Sequence, residues 1–234
     1  MSGTLYGLGI GPGDPDLITL KALKILQSTP VIAYPAPVGK PSLARSIVAS
    51  HLPGEQVEIV IETPMVPGEF PANDVYDKYS EEIATYLDAG RDVAVLCEGD
   101  PFFFGSFMYI YARLSERFTC VVIPGVSSVM ASACAIGMPI TSRNDVLTVL
   151  PGPLPSEDLL RRLQDCDAAI IMKVGRHLSK ITDVLGTLGL TDKAYYIEHA
   201  SMENQMVLPL DEVKMAKAPY FSMILVHKRG EAWK

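Results

Sequence analysis

Cysteine is scarce in this chain, and what there is does not cluster. Four cysteines stand at 97, 120, 134 and 166, with no Cys-x-x-Cys pair among them. The four histidines, at 51, 177, 199 and 227, are equally scattered. A zinc site needs grouped soft ligands, so no metal is expected. Most of the cysteines fall in apolar patterns, which is where plain buried thiols sit. Basic charge is also short: 20 Lys and Arg stand against 27 Asp and Glu, a net charge of -7. A nucleic-acid binder would show a basic stripe, and none is expected as partner. No apolar run reaches the ~18–20 residues that cross a bilayer. The opening Met1-Ser2-Gly3-Thr4 has neither the basic nor the apolar region of a signal peptide. These absences predict a cytoplasmic protein that engages no membrane.

What is present is apolar and regularly punctuated. Hydrophobic residues make up 48% of the 234, enough for real cores. Short apolar strands alternate with helical patterns almost throughout. Strands are predicted at Thr4–Ile10, Val31–Tyr34, Val57–Ile61, Asp92–Cys97 and Thr119–Ile123. Helices are predicted at Asp16–Gln27, Ser42–His51, Val75–Ala89 and Ser106–Glu116. After Pro124-Gly125 the alternation restarts. It gives helices at Ser127–Ile136, Glu157–Leu163 and His177–Leu188, and strands at Leu147–Leu150, Ala168–Met172, Ala194–Glu198 and Phe221–His227. The pattern predicts α/β architecture with parallel-rich sheets covered on both faces. The boundary is placed at Pro124, giving domains 1–123 and 124–234. The stretch 63–73, with Pro64, Pro67, Gly68 and Pro71, reads as an exposed loop that could act as a lid.

The first predicted strand runs into Gly7-Leu8-Gly9-Ile10-Gly11-Pro12-Gly13-Asp14. Glycine permits tight turns and close approach of another backbone or a ligand. A dinucleotide site would require Asp or Glu ~20 residues on to hold the ribose, and Val31-Ile32-Ala33-Tyr34-Pro35 has neither. Asp14 would also set negative charge beside a pyrophosphate. A P-loop would require Gly-Lys-Ser/Thr, which does not follow. Taken alone, the loop can equally be a structural turn.

A second glycine turn, Cys97-Glu98-Gly99-Asp100-Pro101-Phe102-Phe103-Phe104-Gly105, follows the strand ending at Cys97, and Pro124-Gly125-Val126-Ser127-Ser128 makes a third. Ligands in open α/β sheets bind beyond the carboxyl ends of strands. These loops, together with Ile171-Met172-Lys173-Val174-Gly175, Glu198-His199-Ala200-Ser201 and Pro219-Tyr220-Phe221-Ser222, resemble the methyltransferases that modify tetrapyrroles in the cobalamin and sirohaem pathways. The resemblance spans essentially the whole chain.

It implies two αβα domains in tandem with a cofactor cleft between them. It also implies S-adenosyl-L-methionine as methyl donor, S-adenosyl-L-homocysteine as product, a small-molecule tetrapyrrole as substrate and a homodimer as assembly. The positions matching the family's cofactor contacts are Pro12, Glu98, Gly99, Asp100, Phe103, Ser127, Ser128, Met172 and Ala200. Pro219 stands near them. Asp100 could pair with the cofactor's amino group, or simply serve its own turn. Ser127 and Ser128 could bond the cofactor, or cap a helix. Met172 could border the adenine, or belong to the core.

Methyl transfer to carbon leaves a proton to be lost, and Glu98, Tyr34 and His199 are candidate bases. In related uroporphyrinogen-III methyltransferases the residue after the second strand's Tyr is an Asp that looks catalytic; here it is Pro35. A polycarboxylate substrate meeting a net acidic protein needs local cations. Arg143, Lys173 and Arg176 are the expected ones, with Lys40 a further option, although each can equally be solvated surface charge.

Overall fold

The computed structural model describes residues 1–64 and 73–229. The chain divides into two compact units, Met1–Ser127 and Ser128–Lys234. The predicted loop at 63–73 falls mostly on 65–72, outside the described residues.

The first unit is built on five strands: β1 (Leu5–Gly9), β2 (Val31–Pro37), β3 (Val57–Thr63), β4 (Val93–Cys97) and β5 (Cys120–Ile123). They lie in the order β3-β2-β4-β1-β5, all parallel. A parallel sheet must be covered on both faces, and strand side chains alternate between faces. Val93, Val95 and Cys97 of β4 therefore pack with α3 (Asn73–Asp88) and α4 (Phe107–Leu114). Ala94 and Leu96 pack on the opposite face with α1 (Leu20–Ser28) and α2 (Leu43–Ile47). The chain moves one way across the sheet using α1 and α2, then back using α3 and α4. Keeping each crossover right-handed puts those helix pairs on opposite faces.

Two predicted helices are shorter than the periodicity suggests. Asp16–Gln27 splits into a 3-10 turn at Pro15–Leu17 and α1. The Thr19 hydroxyl accepts from the Ala22 N–H (3.2 Å) and starts α1 there. Ser42–His51 splits into α2 and a 3-10 turn at Ala49–His51.

The second unit carries β6 (Leu147–Pro151), β7 (Ala168–Met172), β8 (Ala194–Glu198), β9 (Met206–Pro209) and β10 (Ser222–His227). Their order is β6-β7-β10-β8-β9. The expected parallel-rich pattern fails here: only β6–β7 is parallel, and β10 runs antiparallel to both β7 and β8. β9 pairs antiparallel with β8, so the chain returns through a turn rather than a crossover helix. α6 (Ser156–Gln164) and α7 (Leu178–Thr187) cover one face, and α5 (Ser128–Ile136) the other. Cys97 and Cys166 are buried as plain thiols, Cys120 is partly buried and Cys134 is exposed.

Candidate functional site

In the first unit, β4, β1 and β5 are neighbours and run the same way. Their carboxyl ends therefore deliver the three glycine loops to one edge. The contact is backbone on backbone. The Gly99 N–H donates to the Gly11 carbonyl (2.7 Å), and Ile10 N–H to the Cys97 carbonyl (3.1 Å). A Cβ on Gly9 would stand 2.4 Å from the Gly125 nitrogen, and one on Gly125 would stand 2.0 Å from the Gly99 oxygen. No side chain fits between these loops. Gly11 and Gly99 also hold φ of 85° and 66°, which glycine adopts freely.

Asp100 joins the second loop to the third. One carboxylate oxygen accepts from the Phe102 N–H (2.9 Å) and the other from the Gly125 N–H (3.0 Å). Both arms thus serve the turn. Pro12 is buried beside this junction, and Ser128 opens α5 with Ser127 directly before it. Phe102, Phe103 and Phe104 are exposed, and Phe104 holds a left-handed φ of 58°.

The three candidate bases differ in environment. Burial pushes the Glu98 carboxyl above its ordinary range, against the pull of its own N–H and that of Ala44. Tyr34 donates its hydroxyl to Glu58 Oε2 (2.5 Å), and Glu58 is also held by Arg45 at 3.0 and 3.2 Å. Burial, then Glu58, pushes the Tyr34 phenol up to about 12, so at neutral pH it stays a donor. Burial lifts the Glu58 carboxyl, but the bonds from Tyr34 and Arg45 outweigh it and hold it low.

His199 belongs to the second unit. It follows β8 with φ 52°, and its N–H donates to the Phe221 carbonyl (2.9 Å). Here β7 and β8 end on either side of the start of β10: Met172 pairs with Met223, and Glu198 with Ser222. Met172, Lys173, His199, Ala200 and Phe221 thus share one edge. Lys173 and Ser201 also hold positive φ, 56° and 67°. The Glu198 carboxylate accepts from the Tyr196 hydroxyl (2.5 Å), and burial, then Glu198, pushes that phenol up.

The three expected substrate cations are not brought together. Arg176 follows Lys173 in the turn after β7. Arg143 sits in the turn closed by Asp145 N–H to the Ser142 carbonyl (3.0 Å). The buried Asp145 carboxylate meets His227, at the far end of β10, and Arg229. Since His227 pairs with Ala168 at the start of β7, Arg143 lies at the opposite end of the sheet from Lys173. Lys40 is exposed in the turn after β2. Among the described residues no cluster of His, Cys, Asp or Glu could hold a metal, and no helix is long and apolar enough to cross a membrane.

Sequence reasoning quoted Tyr220 and Phe221 within a matching stretch but named neither as a site residue; both are exposed aromatic side chains on the same edge as Met172. Their position just ahead of an apolar strand was the available signal.

The family model of Tetrapyrrole (Corrin/Porphyrin) Methylases matches residues 4–214. The cobalamin biosynthesis protein CobIJ of Mycobacterium tuberculosis is 42% identical, covering 96% of this chain and 46% of that protein. The chain thus spans about half the length of that relative. Precorrin-2 C(20)-methyltransferase of a Sinorhizobium species is also 42% identical, covering 96% of this chain and 95% of that one. Cobalt-precorrin-2 C(20)-methyltransferase of Salmonella typhimurium is 32% identical, over 99% of both. A structure of uroporphyrin-III C-methyl transferase from Thermus thermophilus, complexed with S-adenyl homocysteine, has a TM-score of 0.69 at 24% identity. The match covers 96% of this chain and 97% of that one. At that identity it shows the fold.

Proposed function

The chain belongs to the tetrapyrrole methylases, and on that premise we propose that it moves the methyl group of S-adenosylmethionine to C-20 of precorrin-2, giving precorrin-3A in cobalamin biosynthesis. The observation carrying this reading is the similarity, over nearly the whole of both chains, to the Sinorhizobium enzyme of that name. The cobalt-containing substrate is the alternative, favoured less because its Salmonella namesake is more distant. A nicotinamide oxidoreductase finds no support in this family.

The residues at the glycine-loop edge fit the methyl donor chemically. Backbone groups at Ser127 can meet its polar parts, Gly99 holds the loop closed beside them, and exposed Phe103 offers an apolar face. Glu98, Asp100, Pro12 and Ser128 stand on the same loops. Met172 and Ala200, at strand ends of the second unit, are the further positions that match the family's cofactor contacts. The bound donor supplies an electrophilic methyl group on a sulfonium that leaves readily. The protein's task is then in-line positioning, which can contribute ~7–11 kcal/mol.

After transfer the methylated carbon sheds a proton. Glu98 suits the acceptor role better than Tyr34: a carboxyl raised by burial is a stronger base, while the Tyr34 phenol is already donating. The same reading makes the enzyme a cytoplasmic homodimer. Four free thiols agree with a reducing compartment, and light scattering on the purified chain tests the dimer.

The deciding experiment presents precorrin-2 and cobalt-precorrin-2 in parallel with 13C-methyl donor. One new methyl signal at C-20 of the metal-free substrate is expected. Transfer to the cobalt form alone would move the reading to the alternative, and transfer to neither would end it.

A further inference from the structure

The edge of the second sheet carries aromatic faces and cations that the cofactor assignment does not use. The segment 218–222 crosses the start of β10. Its Ala218 N–H donates to the Gly175 carbonyl (3.0 Å), and its Phe221 carbonyl accepts from His199 N–H (2.9 Å). It is therefore tied at both ends, between the turns that follow β7 and β8. Between the ties stand Tyr220 and Phe221, 59% and 38% exposed, in edge contact with centroids 5.0 Å apart. Large aromatic side chains left exposed on a pinned backbone mark a binding surface more often than loose packing.

The turn after β7 beside them is cationic, while the Glu198 carboxylate at the end of β8 is held by the Tyr196 hydroxyl. Lys173 and Arg176 are exposed in the turn after β7. Lys180 gives its ammonium to the carbonyls of Gly152 (2.7 Å) and Leu154 (2.5 Å), which bind it without neutralising it. Burial holds His177 below the usual imidazole range, and Lys180 and Arg176 add to the depression. Burial is the larger cause, and the part that the two cations add has the sign expected beside positive charge. The excess sits in a chain of net charge -7.

Lys173 also holds φ 56°. Glycine would adopt that conformation with less strain, and glycine does occupy position 175, at φ 40°. A lysine side chain kept at a strained position points to use of the side chain.

We propose that Tyr220, Phe221, Lys173 and Arg176 form the seat of the tetrapyrrole, one aromatic face lying against its ring system with the other ring standing edge-on beside it, and the two cations receiving its peripheral carboxylates. This rests on the methyltransferase reading above and names where in the second unit the substrate binds. Arg143 has no part in it, because it lies at the other end of the sheet.

The test measures three things on the full chain. They are KM for precorrin-2, affinity for S-adenosylhomocysteine by calorimetry, and affinity for uroporphyrin, an eight-carboxylate probe, by fluorescence quenching. Lys173→Glu with Arg176→Glu should raise KM and weaken uroporphyrin about tenfold or more, with salt weakening the wild type in the same direction. Tyr220→Ala with Phe221→Ala should weaken both about fivefold. S-adenosylhomocysteine affinity should stay within about twofold, and Arg143→Glu should change nothing. Unchanged KM and probe affinity in both double variants would overturn the seat while leaving the methyltransferase reading intact. Loss of S-adenosylhomocysteine affinity in place of tetrapyrrole affinity would also overturn it, by giving the edge to the cofactor. If the wild type binds uroporphyrin through these residues yet methylates no tetrapyrrole, the activity falls and the seat stands.

Discussion

At the carboxyl edge of the first sheet the turns are made by glycine, whereas at the matching edge of the second they are made largely by residues with side chains. Gly9 and Gly125 are glycine because backbone fills the space a Cβ would need. Lys173, His199 and Ser201 hold left-handed backbone that glycine would hold more easily. Phe104 is the exception in the first unit. The first edge thus uses glycine to close three loops on each other, and side chains there, such as Asp100, serve the loops. The second edge keeps side chains at a strain cost of roughly 1–2 kcal/mol each. The contrast fits a division of labour in which backbone shapes the cofactor's wall and side chains recognise the substrate.

The largest effect should come from forcing a side chain into the first edge. Gly125→Ala should cost about 3 kcal/mol and, by parting the loops, most of the affinity for S-adenosylhomocysteine; thermal unfolding and calorimetry check it. Next, Asp100→Ala should cost about 2 kcal/mol by leaving the Phe102 and Gly125 N–H groups without their acceptor. Asp100→Asn should recover only part, since an amide offers one accepting oxygen and turns its NH2 toward the other donor.

At the second edge the sign reverses. Lys173→Gly should raise stability by about 1 kcal/mol while raising the tetrapyrrole KM. A lysine that merely filled the turn would give the first change without the second.

The smallest effect is a titration. His177 should titrate below the usual ~6.5 by NMR, and Arg176→Gln should move it upward. Because the folded state favours the neutral ring, its stabilising contribution is full above about 6.5 and is lost as pH falls through that value toward the depressed one.

Much of this was legible in the sequence, and the gaps have physical causes. β7 and β8 were bounded correctly because apolar runs such as Ala168–Met172 end at polar turns. β9 was missed: Met206–Pro209 is short and only partly buried, so it shows no clean alternation. The antiparallel setting of β10 was missed because a buried strand reads the same in either direction. The glycine loops were found, but not that Gly9 and Gly125 pack against the Gly99 loop, since a Cβ clash involves backbone distant in the chain. Arg143 looked equivalent to Lys173 because both are cations in loops, and only the pairing of His227 with Ala168 separates them.

The division of labour is tested most directly by measuring Gly125→Ala and the Lys173→Glu/Arg176→Glu pair side by side, each for S-adenosylhomocysteine affinity and for tetrapyrrole KM. The account predicts a crossed result. The glycine variant loses cofactor affinity, and the charge variant keeps it while its KM rises about tenfold. Loss of cofactor affinity in both variants, or an unchanged KM in the charge pair, would contradict it.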